Sequence, residues 1–260
     1  RSLMLSTLAM FVTGVALLVF RKRRKAGAAV VADYSTMTRD LGFFIIVFTA
    51  AVLCGTMPPA LRHWQLIIAG FMVFSYIWYV YTMISEERDI TDEADMPNCY
   101  FARNHEKPPL LLVVLQVLVA LGLIIFGADK FVDSVTGLAL TYGVPAFVLA
   151  LIIAPIATEL PEKFNSIIWI SREKDTLALG NITGAMVFQS SVIPALGIFM
   201  TDWQLGGGAF LSAILALASS ALLYFELIRK KSISAGMLLI AGLFYGVFLL
   251  GVFNGVITGR

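Results

Sequence analysis

The residues best suited to chemistry in this 260-residue chain stand in one run, Ala157-Thr158-Glu159-Leu160-Pro161-Glu162-Lys163-Phe164-Asn165-Ser166. Two carboxylates, two hydroxyls and an amide fall within a stretch that is apolar on both sides. Helical spacing puts Thr158, Glu162, Asn165 and Ser166 on one face, at i, i+4, i+7 and i+8. Pro155 and Pro161 each delete a backbone donor, bend the helix locally and leave carbonyl oxygens in need of a partner. Carboxylate, hydroxyl and released carbonyl oxygens are the ligands that hard cations prefer. An acid at mid-bilayer is costly and commonly marks an ion pathway, so the reading is a cation site centred on Glu162. Glu159 has two readings. It is either a second ligand or one half of an ion pair with Lys163, four residues later in the favoured orientation.

A second stretch, Gly180-Asn181-Ile182-Thr183-Gly184-Ala185-Met186-Val187-Phe188-Gln189-Ser190-Ser191, offers a facing partner. Asn181, Ala185 and Gln189 form a stripe at i, i+4 and i+8, and Gly180, Gly184 and Ala185 allow another backbone to come close. Asn181 and Gln189 read as further oxygen ligands, or as interhelical glue worth about 1 kcal/mol. Asn181-Ile182-Thr183 has the form of a glycosylation sequon but lies within an apolar span. Other chemistries lack their residues: there is no Ser/His/Asp arrangement, phosphate-binding glycine loop or metal-ligand histidine pair. Gly206–Gly208 reads as a flexible turn, and Cys54 and Cys99, far apart, read as free thiols without disulfide or zinc. The expectation is a protein that is not an enzyme and carries no cofactor.

The elements that position these residues follow from composition. With 59% hydrophobic residues, 14% charged residues and a mean hydropathy of +0.86, the chain departs from a soluble domain, which is about half apolar and a quarter charged. Lipid is the solvent. A spanning helix needs about 20 predominantly apolar residues, and eight such runs are predicted, at 2–20, 41–57, 64–84, 110–135, 144–170, 177–200, 206–228 and 235–256. None of the first three is expected to bury an acid. Asp129 and Asp133 are placed near the interface at the end of the fourth. The longest connector, 85–109, packs Glu86, Glu87, Asp89, Asp92, Glu93 and Asp95 into its first half and reads as a solvated loop. With alternating helices, fourteen of the 19 Lys and Arg gather on one side; Arg1, Arg62, Lys130 and Arg260 fall on the other, and Lys163 lies within a span. The positive-inside bias then makes 85–109 cytoplasmic and the C-terminus external, in a multi-pass protein of the plasma or inner membrane. Trp64 and Trp203 fit interfacial anchors. The net charge of +2, without basic residues interleaved with aromatics, speaks against nucleic acid; the expected partners are inorganic cations and the bilayer. The first apolar run is followed, not preceded, by Arg21-Lys22-Arg23-Arg24-Lys25, the wrong order for a signal peptide, so the chain reads as a fragment of a longer protein.

Taken in order, Gly127-Ala128-Asp129, Tyr142-Gly143-Val144-Pro145, Ala157-Thr158-Glu159-Leu160-Pro161-Glu162 and Gly180-Asn181-Ile182-Thr183-Gly184 resemble the sodium/calcium exchangers of the cation/calcium antiporter superfamily. Arg39-Asp40 before the second span agrees with that likeness. The resemblance implies ten helices in two inverted five-helix repeats that share a central ion site. Residues 1–84 would supply the last three helices of the first repeat, 85–109 the inter-repeat loop and 110–260 the second repeat; the first signature would precede Arg1. Glu162 then corresponds to the principal acidic ligand of the second repeat, and Thr158 to the threonine beside it. Ala157 replaces a usual glycine, Glu159 and Ala185 usual serines, and Gln189 a usual Asn or Asp. Fewer hydroxyls weaken sodium coordination, whereas an extra buried acid suits proton coupling because burial raises a carboxylate's pKa. The implied function is exchange of Ca2+ for Na+ or H+ by alternating access. The alternative is a non-transporting scaffold or cation sensor that keeps the fold.

Overall fold

Eight long helices carry the apolar runs in the computed structural model, which describes residues 2–87, 99–102, 109–141 and 154–253. They are α1 (Ser2–Phe20), α2 (Tyr34–Thr56), α3 (Arg62–Glu87), α4 (Leu110–Thr141), α5 (Ala154–Ser171), α6 (Asp175–Met200), α7 (Gly207–Lys230) and α8 (Ala235–Phe253). Among the described residues no strand occurs beyond one isolated bridge, Ala29 to Ser234. Seven of the eight helices are long and apolar enough to cross a membrane. The remaining one, α5, carries Glu159, Glu162 and Lys163 within its 18 residues.

Two ends differ from the hydropathy reading. Asp33 caps α2, its Oδ2 accepting from the Thr36 N–H at 2.9 Å and from the Ser35 hydroxyl at 2.8 Å, so the helix starts at Tyr34 and Arg39-Asp40 lies inside it. Side-chain capping of this kind outweighs the polar character of the first two turns. At the other extreme α4 continues to Thr141. Asp129 and Asp133 therefore do not close it; both are exposed along its length, with Lys130 Nζ 3.9 Å from Asp133. In the long connector only Glu86 and Glu87, at the end of α3, are described. Asp89, Asp92, Glu93 and Asp95 lie outside the described residues, as do the stretch Tyr142-Gly143-Val144-Pro145 and residues 254–260.

The chain divides into two compact units, one of Arg1–Tyr81 with Glu159–Arg260 and one of Thr82–Thr158. In the larger unit α2 packs on α6 and α7, and α1 packs on α8, α7 and α6. Leu17, Leu41, Phe44, Ile182, Met186 and Leu238 are fully buried where they meet. A second cluster of Val47, Ala51, Met72, Ala195 and Ile198 joins α2, α3 and α6. Because lipid is as apolar as these side chains, close packing and polar contacts hold such helices together. Gly14 permits that closeness between α1 and α8: a Cβ there would lie 2.9 Å from the Leu238 Cβ and 3.1 Å from the Ala235 carbonyl oxygen. Trp203 is half-buried and lies against Gly197, its indole N–H donating to the Ala51 carbonyl at 3.0 Å. It ties the α6–α7 turn to α2, a tighter role than a free interfacial anchor. Leu5–Ala9 in α1 winds as a π-helix, and the Ser6 carbonyl there accepts from Ser219 of α7 at 2.6 Å. The large apolar side chains of α3, among them Phe71, Phe74, Ile77 and Trp78, face outward, as a lipid-facing surface requires.

The smaller unit holds the end of α3, a 3-10 turn at Tyr100–Ala102, α4 and the start of α5. Gln116 of α4 fastens the turn, its Oε1 accepting from the Phe101 N–H and the Cys99 thiol, each at 3.1 Å.

Candidate functional site

The two stretches singled out above form a helical hairpin, α5 followed by α6. Glu173 adopts a left-handed backbone (φ 60) in the turn, and the Lys174 N–H returns to the Trp169 carbonyl at 2.9 Å. A buried ion pair holds this turn. Arg24, after α1, donates through Nη1 and Nη2 to the two oxygens of Asp175 at 2.7 and 2.6 Å, and both side chains are fully buried. The guanidinium also donates to the carbonyls of Ile170 (2.6 Å), Gly27 (3.0 Å) and Ala29 (3.1 Å), while Asp175 accepts the Val31 N–H at 2.8 Å. The hydrogen bond that Arg24 donates to Asp175, and then the charge of that carboxylate, raise the Arg24 pKa further. A bidentate, fully satisfied pair of this type fixes geometry. Neither residue stood out in the sequence, because 151 positions separate them.

Thr158, Glu159 and Glu162 fall on the helical backbone of α5, Thr158 ending one unit and Glu159 opening the other. Their side chains lie outside the described residues. Farther along α5, Lys163 is buried, Asn165 is exposed, and the buried Ser166 hydroxyl donates to the Ala178 carbonyl of α6 at 3.4 Å. On α6, Leu179, Ile182, Thr183, Met186, Val187 and Ser190 form the buried face. The stripe of Asn181, Ala185 and Gln189 is turned away from it, with Asn181 exposed and Gln189 half-buried. A Cβ on Gly180 or Gly184 would meet nothing within 4 Å, so among the described residues no backbone makes the close approach expected there.

Gln189 is the part of the predicted ligand set with the most distinctive surroundings. Its Oε1 is buried without a hydrogen-bond partner among the described residues. It borders a cavity of about 310 Å³ that Ser2, Ser212, Phe48, Pro194 and Trp203 also line. Pro194 interrupts α6 beside it and has no N–H to offer the Ser190 carbonyl one turn back. A buried acceptor and the hydroxyls of Ser2 and Ser212 at one cavity can solvate a cation or a water. Asn181, two turns away at roughly 12 Å along the helix, does not line this cavity. Among the described residues no three His, Cys, Asp or Glu side chains converge.

Besides Asp175, two more buried acids escaped the sequence reading. Asp40 overturns the expectation that the first three spans bury none: it is 2% exposed, accepting from the Tyr79 hydroxyl and the Thr183 hydroxyl, both at 2.6 Å. Glu226, 3% exposed near the end of α7, accepts from Lys230 Nζ at 2.8 Å and from the Ser234 hydroxyl and N–H at 2.9 and 3.1 Å. It thereby pins the turn into α8.

Comparison with known proteins follows the same lines. A family model described as sodium/calcium exchanger protein matches residues 112–254. CaxA of Alkalimonas amylolytica, named as an antiporter, is 24% identical over 71% of this chain and 58% of its own length. The inner membrane protein YrbG of Escherichia coli (strain K12) is 29% identical over 34% of this chain and 27% of its own. The chain thus spans less than two thirds of the length of these relatives. Among solved structures, that of the H+/Ca2+ exchanger CAX superposes with a TM-score of 0.70 at 17% identity, over 97% of this chain and 64% of that one.

Proposed function

The chain belongs to the sodium/calcium exchanger family, and on that premise we propose that it serves in a membrane antiporter that exchanges Ca2+ for Na+ or H+ by alternating access. The ions would compete for one oxygen-lined site formed by the α5–α6 hairpin, with Glu162 as principal ligand and Thr158, Glu159 and Gln189 contributing; Asn181, exposed and two turns from Gln189, stands at its margin. The observation that carries this reading is Gln189: a buried oxygen with no hydrogen-bond partner among the described residues, at the edge of a cavity, on the helix next to the acidic one.

Register supports the role of Glu162. In an antiparallel hairpin, one turn back on α5 corresponds to one turn forward on α6. Since Ser166 meets Ala178, Glu162 stands about level with Ile182, between Asn181 and Thr183. In this reading residues 110–260 form a complete five-helix repeat, 1–84 supply three helices of the other, and 85–109 join them on the cytoplasmic side. Competition for one site, together with a barrier to moving an uncompensated acid through low dielectric, couples the two fluxes.

The test is radiolabelled Ca2+ uptake by liposomes containing the full-length protein, under imposed Na+ or pH gradients. Uptake is expected to follow one of the gradients and to be lost in Glu162→Gln. Gradient-independent uptake, or normal exchange in that variant, defeats the mechanism.

A further inference from the structure

Asp40 is a buried carboxylate outside the proposed cation site, and its two oxygens reach two other helices. Oδ1 accepts from the Tyr79 hydroxyl of α3, and Oδ2 from the Thr183 hydroxyl of α6, each at 2.6 Å. Arg39 lies beside it, its Nε 3.7 Å from Oδ1 and its guanidinium 5.3 Å from the centre of the Tyr79 ring. Both hydroxyl distances are those of an O–H donating to an ionised carboxylate. Packing alone would not require a charge in such a place, since a desolvated carboxylate is costly and apolar residues of similar volume commonly serve as well. The side chain therefore joins α2, α3 and α6 in a directional way that contact between apolar surfaces does not provide.

The point of attachment on α6 gives that junction a role. Thr183 is two residues from Asn181, about 200° around the helix, so a bond on the buried face of α6 sets the direction of the stripe bearing Asn181 and Gln189. Thr183 also stands at the depth assigned above to Glu162. Resting on the antiport reading, we propose that Asp40 is a positioning residue: its carboxylate latches α6 at a fixed depth and rotation against α2 and α3. The latch presets the ligands of the second signature for the cation. It does not touch the ion.

The experiment compares full-length wild-type protein with Thr183→Val, Thr183→Ser, Tyr79→Phe and Asp40→Asn in Ca2+-loaded and gradient-driven liposomes. Thr183→Val keeps the side-chain shape but removes the donor to Asp40. It is expected to raise the half-saturating Ca2+ concentration about tenfold at unchanged maximal rate per folded protein, the size of effect that one charge-assisted hydrogen bond can exert. Thr183→Ser restores the hydroxyl and the wild-type value. Tyr79→Phe, which cuts the bond to α3 and leaves the one to α6, shifts it less, and Asp40→Asn moves it in the same direction as Thr183→Val. Unchanged half-saturation in Thr183→Val, or a loss that merely tracks the folded fraction in a thermal melt, overturns the latch. Should the wild-type protein carry no gradient-driven flux, the antiport reading falls. The latch is then judged on hydrogen–deuterium exchange across 180–190, expected to be faster in Thr183→Val than in wild type or Thr183→Ser; equal protection overturns it.

Discussion

Among the described residues of the larger unit, the buried carboxylates Asp40, Asp175 and Glu226 each accept several hydrogen bonds; Asp40 and Asp175 join segments far apart in the chain, and Glu226 holds the turn between α7 and α8. For the Arg24–Asp175 pair the consequence for stability is direct. Removing one partner leaves a desolvated charge, which costs about 3–5 kcal/mol, whereas replacing both by apolar residues is far less damaging. Arg24→Ala is therefore expected to lower the thermal midpoint of the purified protein sharply, and Arg24→Met with Asp175→Leu to recover most of the loss. A double-mutant cycle of thermal unfolding checks this, and a small effect of the single variant would contradict it. At the start of α2 the Asp33 carboxylate is held at a pKa of about 2, first by its bond from the Thr36 hydroxyl and then by further bonds from Thr36 and Ser35. Because its folded pKa is depressed, the cap contributes above the ordinary carboxylate range and is lost as pH falls from about 4 to about 2. Asp33→Ala is expected to cost about 1 kcal/mol at neutral pH and progressively less as pH falls through about 2; an undiminished difference in acid would contradict the cap. At this scale Glu162 stands out in the sequence because charge inside an apolar run is conspicuous; its side chain lies outside the described residues. Asp40 does not stand out, since it follows Thr36, Thr38 and Arg39 at the polar end of its run, and its partners lie 39 and 143 residues away. No window along the chain joins them.

For the elements, hydropathy located the seven helices that are long and apolar enough to span, because the length needed to cross hydrocarbon is fixed by the bilayer, and the eighth, α5, falls within its predicted run. Their ends were less legible. The extension of α2 to Tyr34 depends on side-chain capping, and that of α4 to Thr141 passes through exposed Asp129 and Asp133. The glycines divide along the same line. Small residues in a signature suggest close helix contact, yet the contacts that a Cβ would break lie elsewhere, among them the one at Gly14, between α1 and α8, where the obstacles include the Ala235 carbonyl oxygen at 3.1 Å and the Leu239 nitrogen at 3.2 Å. Gly14→Ala is expected to destabilise by about 1–3 kcal/mol, as overpacking does. Gly184→Ala, with open space around the added methyl, is expected to hold or raise stability, because alanine favours the helix over glycine by up to about 1 kcal/mol. Thermal midpoints measured side by side decide it: equal losses would place a close neighbour at Gly184 as well.

For the molecule as a whole, the sidedness of the charge pattern becomes a physical arrangement in the larger unit. The loop after α1, with Arg21, Lys22, Arg23 and Lys25 exposed, is fastened to the α5–α6 turn by Arg24–Asp175 and by the bond from the Lys25 N–H to Glu173. The Ala29–Ser234 bridge brings the α7–α8 turn, with Lys230 and Lys231, to the same end. At the opposite end the Leu205 N–H donates to the Gly55 carbonyl at 3.0 Å, Gln204 Nε2 to the Met57 carbonyl at 3.1 Å, and Arg62 to the Ile198 carbonyl at 2.5 Å. Arg62 is the single Lys or Arg in those two turns, 57–62 and 201–206. Basic residues are retained on the cytoplasmic side during insertion, so the basic end should face the cytoplasm. Single cysteines placed at the exposed positions Ser232 and Asp202, in full-length protein lacking Cys54 and Cys99, read this directly with a membrane-impermeant maleimide on intact cells. Asp202→Cys is expected to label and Ser232→Cys to remain protected until the membrane is opened. Labelling at 232 with protection at 202 would invert the topology and move the connector 85–109 to the outside.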